Sequence, residues 1–299
     1  MFIIKHRNIF FAISGFCIIV SLWLLIQYGL KLGTDFTGGT IWEVEYKNSR
    51  PALVEVKAGL AKLAELGPVS IQQAGQDSLL LRLRDISQEE KEKVVKVLDG
   101  GGQHTFAEKR FSSIGPIVGK ELSRRGLIAI ALVCLLIILF ITFAFRKVSR
   151  PISSWKYGLI AVLALLHDLV IPTGVFAWLG FSRGVEVDVL FLTGLLTILG
   201  ISVHDTIVVF DRIRENLRLK APGSFAEVVG NSLTQTFTRS VNTSLTIVFV
   251  LLVMYFIGAE STRWFSLLMA IGVFVGTYSS IFIASPLLVV WERFGQRKS

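Results

Sequence analysis

The sequence predicts an α-helical polytopic membrane protein of six transmembrane helices, with an inserted α+β ferredoxin-like extracytoplasmic domain. Three observations carry that expectation. Of 299 residues, 52% are hydrophobic and only 18% charged, outside the soluble globular range of about 45–50% apolar and about 25% charged. Apolar runs fall at 9–30, 126–145, 156–179, 188–210, 241–258 and 264–290, and about 20 apolar residues suffice to cross a hydrocarbon layer of roughly 30 Å. Between the first two runs, residues 31–125 hold fifteen Lys/Arg and thirteen Asp/Glu, the mixed polar composition of a folded aqueous domain. An ordinary cytosolic enzyme is excluded. The formal net charge of +9 sits in segments that flank apolar runs, which is a membrane signature and not a nucleic-acid footprint. Cys17 and Cys134 both lie inside apolar runs without metal-binding spacing, so neither a disulfide framework nor a metal site is expected.

Taken in order, residues 1–30 form the first span. Lys5-His6-Arg7 precede it, but its apolar core exceeds the roughly 7–15 residues of a signal peptide and no A-x-A site follows, so it reads as an uncleaved anchor. Within 31–125, strand patterns occur at 40–46, 69–73, 78–84 and 103–112, and helical patterns at 51–66 and 88–98. Ser87 and Glu90 open the second helix as a capping box. The order β-α-β-β-α-β is the split βαβ arrangement. His104 is a lone strand histidine, and no catalytic constellation accompanies it, so the domain reads as a binding or docking module. Its opening string, Gly33-Thr34-Asp35-Phe36-Thr37-Gly38-Gly39, must stop a helix and start a strand. Glycines supply positive φ and Asp35 can bond nearby amides, which makes a turn. A phosphate-cradling loop is excluded because no Lys-Ser/Thr helix start follows.

Residues 126–299 supply the other five spans, with a cytoplasmic interfacial helix expected at 224–238 from the stripe Phe225, Val228, Val229 and Leu233. Short connections on one side hold fourteen Lys/Arg, and those on the other hold only Arg183 and Arg263; the positive-inside rule therefore places both termini in the cytoplasm and 31–125 outside. Trp155, Trp178, Trp264 and Trp291 bracket the third and sixth spans as interfacial anchors. Gly194, Gly200, Gly272 and Gly276 are expected where helices approach closely.

Ionisable residues inside spans are functional candidates by default. Asp168, beside His167, lies near mid-depth of the third span, and Asp205 lies in the fourth. Arg239, Asn242, Thr243 and Thr246 share one face of the fifth span through offsets of three, four and seven. An Asp205–Arg239 pair would have two charge states close in free energy, with protonation releasing the arginine: the core of a proton-driven switch. Asn242 and Thr243 would partner whichever group is left alone. The plainer alternative is a static ion pair fixing helix packing, with Asp211, Arg212, Arg214 and Glu215 as solvated loop charges.

These residues together resemble a known family. Gly33–Gly39, Val118-Gly119-Lys120-Glu121-Leu122, His167-Asp168, the string from Asp205 to Asn216 and Arg239–Thr246 are similar to the SecF family of bacterial protein-export subunits, in the resistance-nodulation-division superfamily of proton-driven transporters. The resemblance covers nearly the whole chain. It implies a heterodimer with SecD, work with the SecYEG channel on an exported unfolded polypeptide, protons as coupling ion without another cofactor, and a place in the bacterial inner membrane. It assigns Asp205, Arg239 and Thr243 to the proton relay, with Asp168 as a further candidate. Gly33, Asp35, Phe36, Gly38 and Gly39 become a structural motif, and Asp211 and Arg212 a cytoplasmic conformational cluster. His204 stands where the family commonly has Asn, adding a titratable group able to tune the carboxylate or join the relay. Competing expectations are a proton-driven half-size small-molecule exporter, an intramembrane aspartyl protease using Asp168 and Asp205, and a purely structural scaffold.

Overall fold

Long apolar runs become long helices, the third of them with Pro172 in its interior, and the polar segment alternates with period two where it becomes sheet. In chain order the elements are α1 (Phe2–Lys5), α2 (Arg7–Tyr28), α3 (Thr34–Thr37), β1 (Gly39–Tyr46), α4 (Leu53–Ala61), β2 (Ser70–Ala74), β3 (Ser78–Leu83), α5 (Gln88–Leu98), β4 (Phe106–Ile114), α6 (Pro116–Ala144), α7 (Ser154–Arg183), α8 (Val189–Arg218), α9 (Phe225–Ile257), α10 (Glu260–Ser279) and α11 (Ser285–Gln296). A 3-10 turn, Ala64–Leu66, follows α4, and a π turn, Ser280–Ala284, joins α10 to α11. The computed structural model describes residues 2–47, 50–67, 69–75, 77–146 and 152–296. Lys147, Arg150, Arg297 and Lys298, which belong to the basic connections, lie outside the described residues. Among the described residues, six helices are long and apolar enough to cross a membrane. The chain divides into two units, Met1–Lys31 with Ile128–Ser299, and Leu32–Leu127.

In the unit Leu32–Leu127, an antiparallel four-stranded sheet runs β2-β3-β1-β4, the strand order of a split βαβ motif. Trp42, Val44 and Tyr46 of β1 and Leu79, Leu81 and Leu83 of β3 point to one face, where Val56 and Leu60 of α4 and Val94 and Leu98 of α5 bury them. The capping box forms as expected: the Ser87 amide donates to Glu90 Oε2 at 2.9 Å and the Glu90 amide to Ser87 Oγ at 3.3 Å. That amide bond, with Arg84 nearby, holds the Glu90 carboxyl below the usual carboxylate range. The helix expected over 51–66 ends at Ala61, and the 3-10 turn that follows tucks Leu66 into the core.

Tyr46 Oη donates to the Leu98 carbonyl at 3.1 Å, and burial pushes its phenol from 10.0 up to about 12. The neutral phenol is therefore favoured by folding, and its contribution is complete below pH 10.0 and lost as pH rises toward about 12. Alkaline titration of the full chain in detergent, followed by tyrosinate absorbance, is expected to lose a component near pH 12 in Tyr46→Phe and to keep those near pH 10. Loss of a component near pH 10 would contradict the buried phenol.

In the other unit, Tyr157, Phe210 and Phe145 form the aromatic centre of a core shared by α7, α8, α9 and α11. Two expectations are corrected here. The interfacial helix expected at 224–238 is continuous with the fifth span as α9, because nothing between Leu233 and Val241 breaks the helix. Its apolar stripe, Phe225, Val229 and Leu233, packs into the protein core and not onto a membrane surface. Likewise the charges Asp211–Glu215 lie on α8, which continues to Arg218, and not in a loop. Trp155 and Trp291 meet edge to face at 5.9 Å, so these two tryptophans pack on each other as well as marking helix ends.

Candidate functional site: two hydroxyl-caged carboxylates

The centre of the helical unit is built where α8 meets α9 and α10. Asp205 lies on the buried stripe of α8 that also carries Ser202, Thr206 and Val209. Ser244 of α9 donates to Asp205 Oδ2 at 3.3 Å, and Thr277 of α10 donates to the same oxygen at 3.2 Å. The other oxygen, Oδ1, faces His204 Nδ1 at 3.7 Å. That separation exceeds hydrogen-bond length. The His204 side chain is 70% exposed and lines a cleft of about 280 Å³ together with Gly200, Ile201, Asp205, Thr243, Ser244 and Ile247. The carboxylate is thus held from inside by hydroxyls and reached from outside past an imidazole.

Asp168 of α7 has a second cage of the same kind. Its Oδ1 pairs with His167 Nδ1 at 2.9 Å, and its Oδ2 accepts from Ser279 of α10 at 2.7 Å and from Ser202 of α8. The Tyr278 ring stacks on His167 at 6.4 Å and its hydroxyl donates to the Phe10 carbonyl of α2 at 3.1 Å. His167 Nε2 is buried without a hydrogen-bond partner among the described residues. Burying a carboxylate without such donors would cost several kcal/mol, and each hydroxyl offsets part of that cost. Among the described residues the two acids share no hydrogen-bonding partner, so they are not arranged as the proton-sharing dyad that an aspartyl protease needs.

Close helix approach makes these cages possible. A Cβ on Gly276 would lie 2.9 Å from Ser202 Cβ, one on Gly272 2.2 Å from Ile198 Cδ1, and one on Gly194 2.6 Å from Leu268 Cδ2. Gly200 departs from that expectation: a Cβ there would meet nothing within 4 Å, and the residue borders the cleft instead.

The structure does not bring Arg239 to Asp205. Ser240 and Ser244, one turn apart, are the α9 positions turned inward, and Arg239, Asn242, Thr243 and Thr246 are exposed. At about 100° per residue, Arg239 points away from the acid that Ser240 and Ser244 approach. Thr243 reaches the cleft wall. Arg239, Asn242 and Thr243 have no side-chain hydrogen-bond or ion-pair partner among the described residues. Sequence reasoning also missed Ser202, Ser244, Thr277 and Ser279, whose only signal was a density of hydroxyls in otherwise apolar spans.

At the end of α8, Arg212 donates from Nε to Gln235 and from its guanidinium to Glu215, both at 2.6 Å, and Arg214 pairs with Asp211 at 3.0 Å. Asn216 adds bonds to Ser232 at 2.8 Å and Gln235 at 3.1 Å, tying α8 to the start of α9. In the other unit, Thr34–Thr37 makes one helical turn before β1, and Gly38 and Gly39 have φ of 80° and 136°. A Cβ on Gly38 would lie 2.6 Å from Pro116 Cα, and one on Gly119 2.7 Å from the Phe36 carbonyl oxygen. The glycines let the turn and the start of α6 touch backbone to backbone. Among the described residues no group of three or more His, Cys, Asp or Glu side chains is arranged to hold a metal ion.

The family model described as protein export membrane protein SecD/SecF, C-terminal, matches residues 93–294. The chain belongs to the SecD/SecF family. A second model, the SecD/SecF GG motif, matches residues 23–49, which contain the Gly38-Gly39 turn. The protein translocase subunit SecF of Thermobaculum terrenum is 44% identical over 97% of this chain and 93% of its own length. That of Anaerolinea thermophila is 39% identical over 97% of this chain and 94% of its own. The crystal structure of SecDF from Thermus thermophilus, described as a translocon-associated membrane protein, superposes with a TM-score of 0.77 at 32% identity. That match covers 97% of this chain and 38% of the SecDF chain. The family expected from the motifs is therefore the family found, and the protein is a multi-pass membrane protein.

Proposed function

We propose that the chain is an accessory subunit of the Sec protein-export machinery that pairs with SecD, works beside the SecYEG channel and uses the proton-motive force to help draw unfolded polypeptides across the bacterial inner membrane. The observation that carries this reading is Asp205: a buried carboxylate, caged by Ser244 and Thr277, that opens past His204 to a cleft. Such a group can take up and release a proton without unfolding its surroundings, and a proton crossing the membrane field is worth about 2.3 kcal/mol per 100 mV. The outward stripe Arg239, Asn242, Thr243 and Thr246 supports the SecD partnership, because a guanidinium and an amide on a membrane span need polar company. In this reading Arg239 meets acids supplied by SecD and approaches Asp205 only in another state of the cycle. In this reading both termini are cytoplasmic, with 31–125 on the far side, which the asymmetry of the basic connections supports.

The test is export into vesicles reconstituted with the channel, SecD and this chain. Export is expected to rise on imposing a proton gradient and to fall back when a protonophore collapses it; a rate indifferent to the gradient would refute the coupling. Arg239→Ala separates partner contact from folding. Because Arg239 has no partner among the described residues, the variant is expected to match wild-type thermal stability to within about 0.5 kcal/mol while losing the gradient-dependent increment. Equal loss of stability would mean that the arginine serves the fold.

A further inference from the structure

Three hydroxyls around the two acids, those of Ser244, Thr277 and Ser279, each have one proton and both an acid and a carbonyl of their own helix in reach, and Thr277 Oγ1 also lies 2.5 Å from Ser244 Oγ. Thr277 Oγ1 lies 3.2 Å from Asp205 Oδ2 and 2.9 Å from the Val273 carbonyl one turn back on α10. Ser244 Oγ lies 3.3 Å from the same Asp205 oxygen and 2.9 Å from the Ser240 carbonyl. Ser279 Oγ lies 2.7 Å from Asp168 Oδ2 and 3.0 Å from the Gly276 carbonyl. A hydroxyl donates a single proton, so at any moment it serves one of these acceptors: the acid, its own helix or, for Thr277, the Ser244 hydroxyl. An ionised carboxylate is the stronger acceptor. A protonated one loses that advantage, and the hydroxyl proton returns to the backbone.

Return to the backbone has a mechanical effect, because Ser and Thr bonds to preceding carbonyls bend helices. The bend would fall at a place already weakened. Directly after Ser279 the helix widens into the π turn Ser280–Ala284, where Ser285 Oγ donates to the Ser280 carbonyl at 3.0 Å and Ser280 Oγ meets Thr206 Oγ1 at 2.8 Å. π turns interrupt the regular hydrogen-bond ladder and are recognised sites of kinking. Thr277 and Ser279, two residues apart, point to different neighbours, α8 and α7, so one stretch of α10 touches both acids.

We propose that Ser244, Thr277 and Ser279 are proton-linked positioning residues that convert the charge of Asp205 and Asp168 into a change of bend in the sixth span at its π turn. The inference rests on proton uptake at Asp205 and adds the element that moves. The groups facing Asp205 are His204 from its own helix, Ser244 from α9 and Thr277 from α10, with Arg239 turned outward. Those facing Asp168 are His167 from its own helix, Ser202 from α8 and Ser279 from α10, with Tyr278 stacked on the imidazole. The proton taken up forms an O–H bond on the carboxyl group. The hydroxyl O–H bonds only rotate, so the switch uses no further proton.

The experiment places spin labels at Leu219→Cys and Phe294→Cys, both exposed, with Cys17 and Cys134 replaced by Ser, in the full chain co-purified with its partner. Inter-label distances are read at pH 5 and pH 8. Wild type is expected to shift by about 2 Å, the scale of helix displacements in switching proteins. Thr277→Val with Ser279→Ala abolishes the shift, and Thr277→Ser restores it when made with Ser279 intact. Thr277→Val alone serves if the double variant does not fold. A wild-type-sized shift in the hydroxyl-free variant, in a protein whose export still responds to the gradient, overturns the inference. A gradient-indifferent wild type instead overturns the proton coupling on which it rests.

Discussion

Asp205→Asn is expected to eliminate the gradient-dependent part of export and leave the gradient-independent rate intact. Asn is nearly isosteric and keeps a carbonyl oxygen for the Ser244 and Thr277 hydroxyls, so the cage persists while the titratable proton disappears. The variant should therefore purify with its partner at wild-type yield. Its loss is complete rather than partial because, among the described residues, no second carboxylate shares these donors: Asp168 has its own set, Ser202 and Ser279. Asp211→Asn provides the contrast. Its carboxylate is 57% exposed and paired with Arg214, and such a surface pair is worth about 0–1 kcal/mol, so gradient-driven export should change less than twofold. The comparison is made in reconstituted vesicles at matched protein content. Retention of half or more of the increment in Asp205→Asn would remove Asp205 from the coupling step.

The second large effect is structural. Gly38→Val is expected to destabilise the unit Leu32–Leu127 by about 3 kcal/mol or more, from two causes that add. Its backbone, at φ 80° and ψ 158°, lies in a region open essentially to glycine alone. A Cβ there would also lie 2.6 Å from Pro116 Cα and 2.8 Å from Pro116 N, and backbone atoms cannot rotate aside as side chains do. Gly75→Ala is the control, since it carries φ of 81° with nothing within 4 Å of an added Cβ, so only the conformational cost applies. Hydrogen exchange of β1 and β4 in the full chain reads the difference: Gly38→Val should accelerate exchange well beyond Gly75→Ala. Equal protection in the two variants would show that the close contact with Pro116 carries no weight.

Much of the architecture was legible because it rests on local rules. Alternation in β1 and β3, the Ser87/Glu90 capping box and the six apolar runs each depend on residues near one another in sequence. What escaped depended on rotation about a helix and on contacts between distant helices. Arg239 and Ser240 are neighbours in the chain, yet one faces outward and the other inward, and the sequence offers no reason to prefer the charged residue's side over the small one's. The caging hydroxyls were overlooked because Ser and Thr pass unremarked in an apolar span, where each can satisfy itself on its own backbone. Continuity between 224–238 and the fifth span was missed since an amphipathic stripe looks the same whether it lies on lipid or on protein. Gly200 was grouped with the packing glycines, although what it adjoins is open space.

The outward stripe on α9 has a consequence for the cell's economy of subunits. A span that presents a guanidinium, an amide and two hydroxyls to its surroundings is at ease only when a companion covers it. Under the proposed pairing, copies synthesised in excess of that companion are expected to be short-lived, so that their number follows the supply of the partner; pulse-chase labelling with and without the partner checks this.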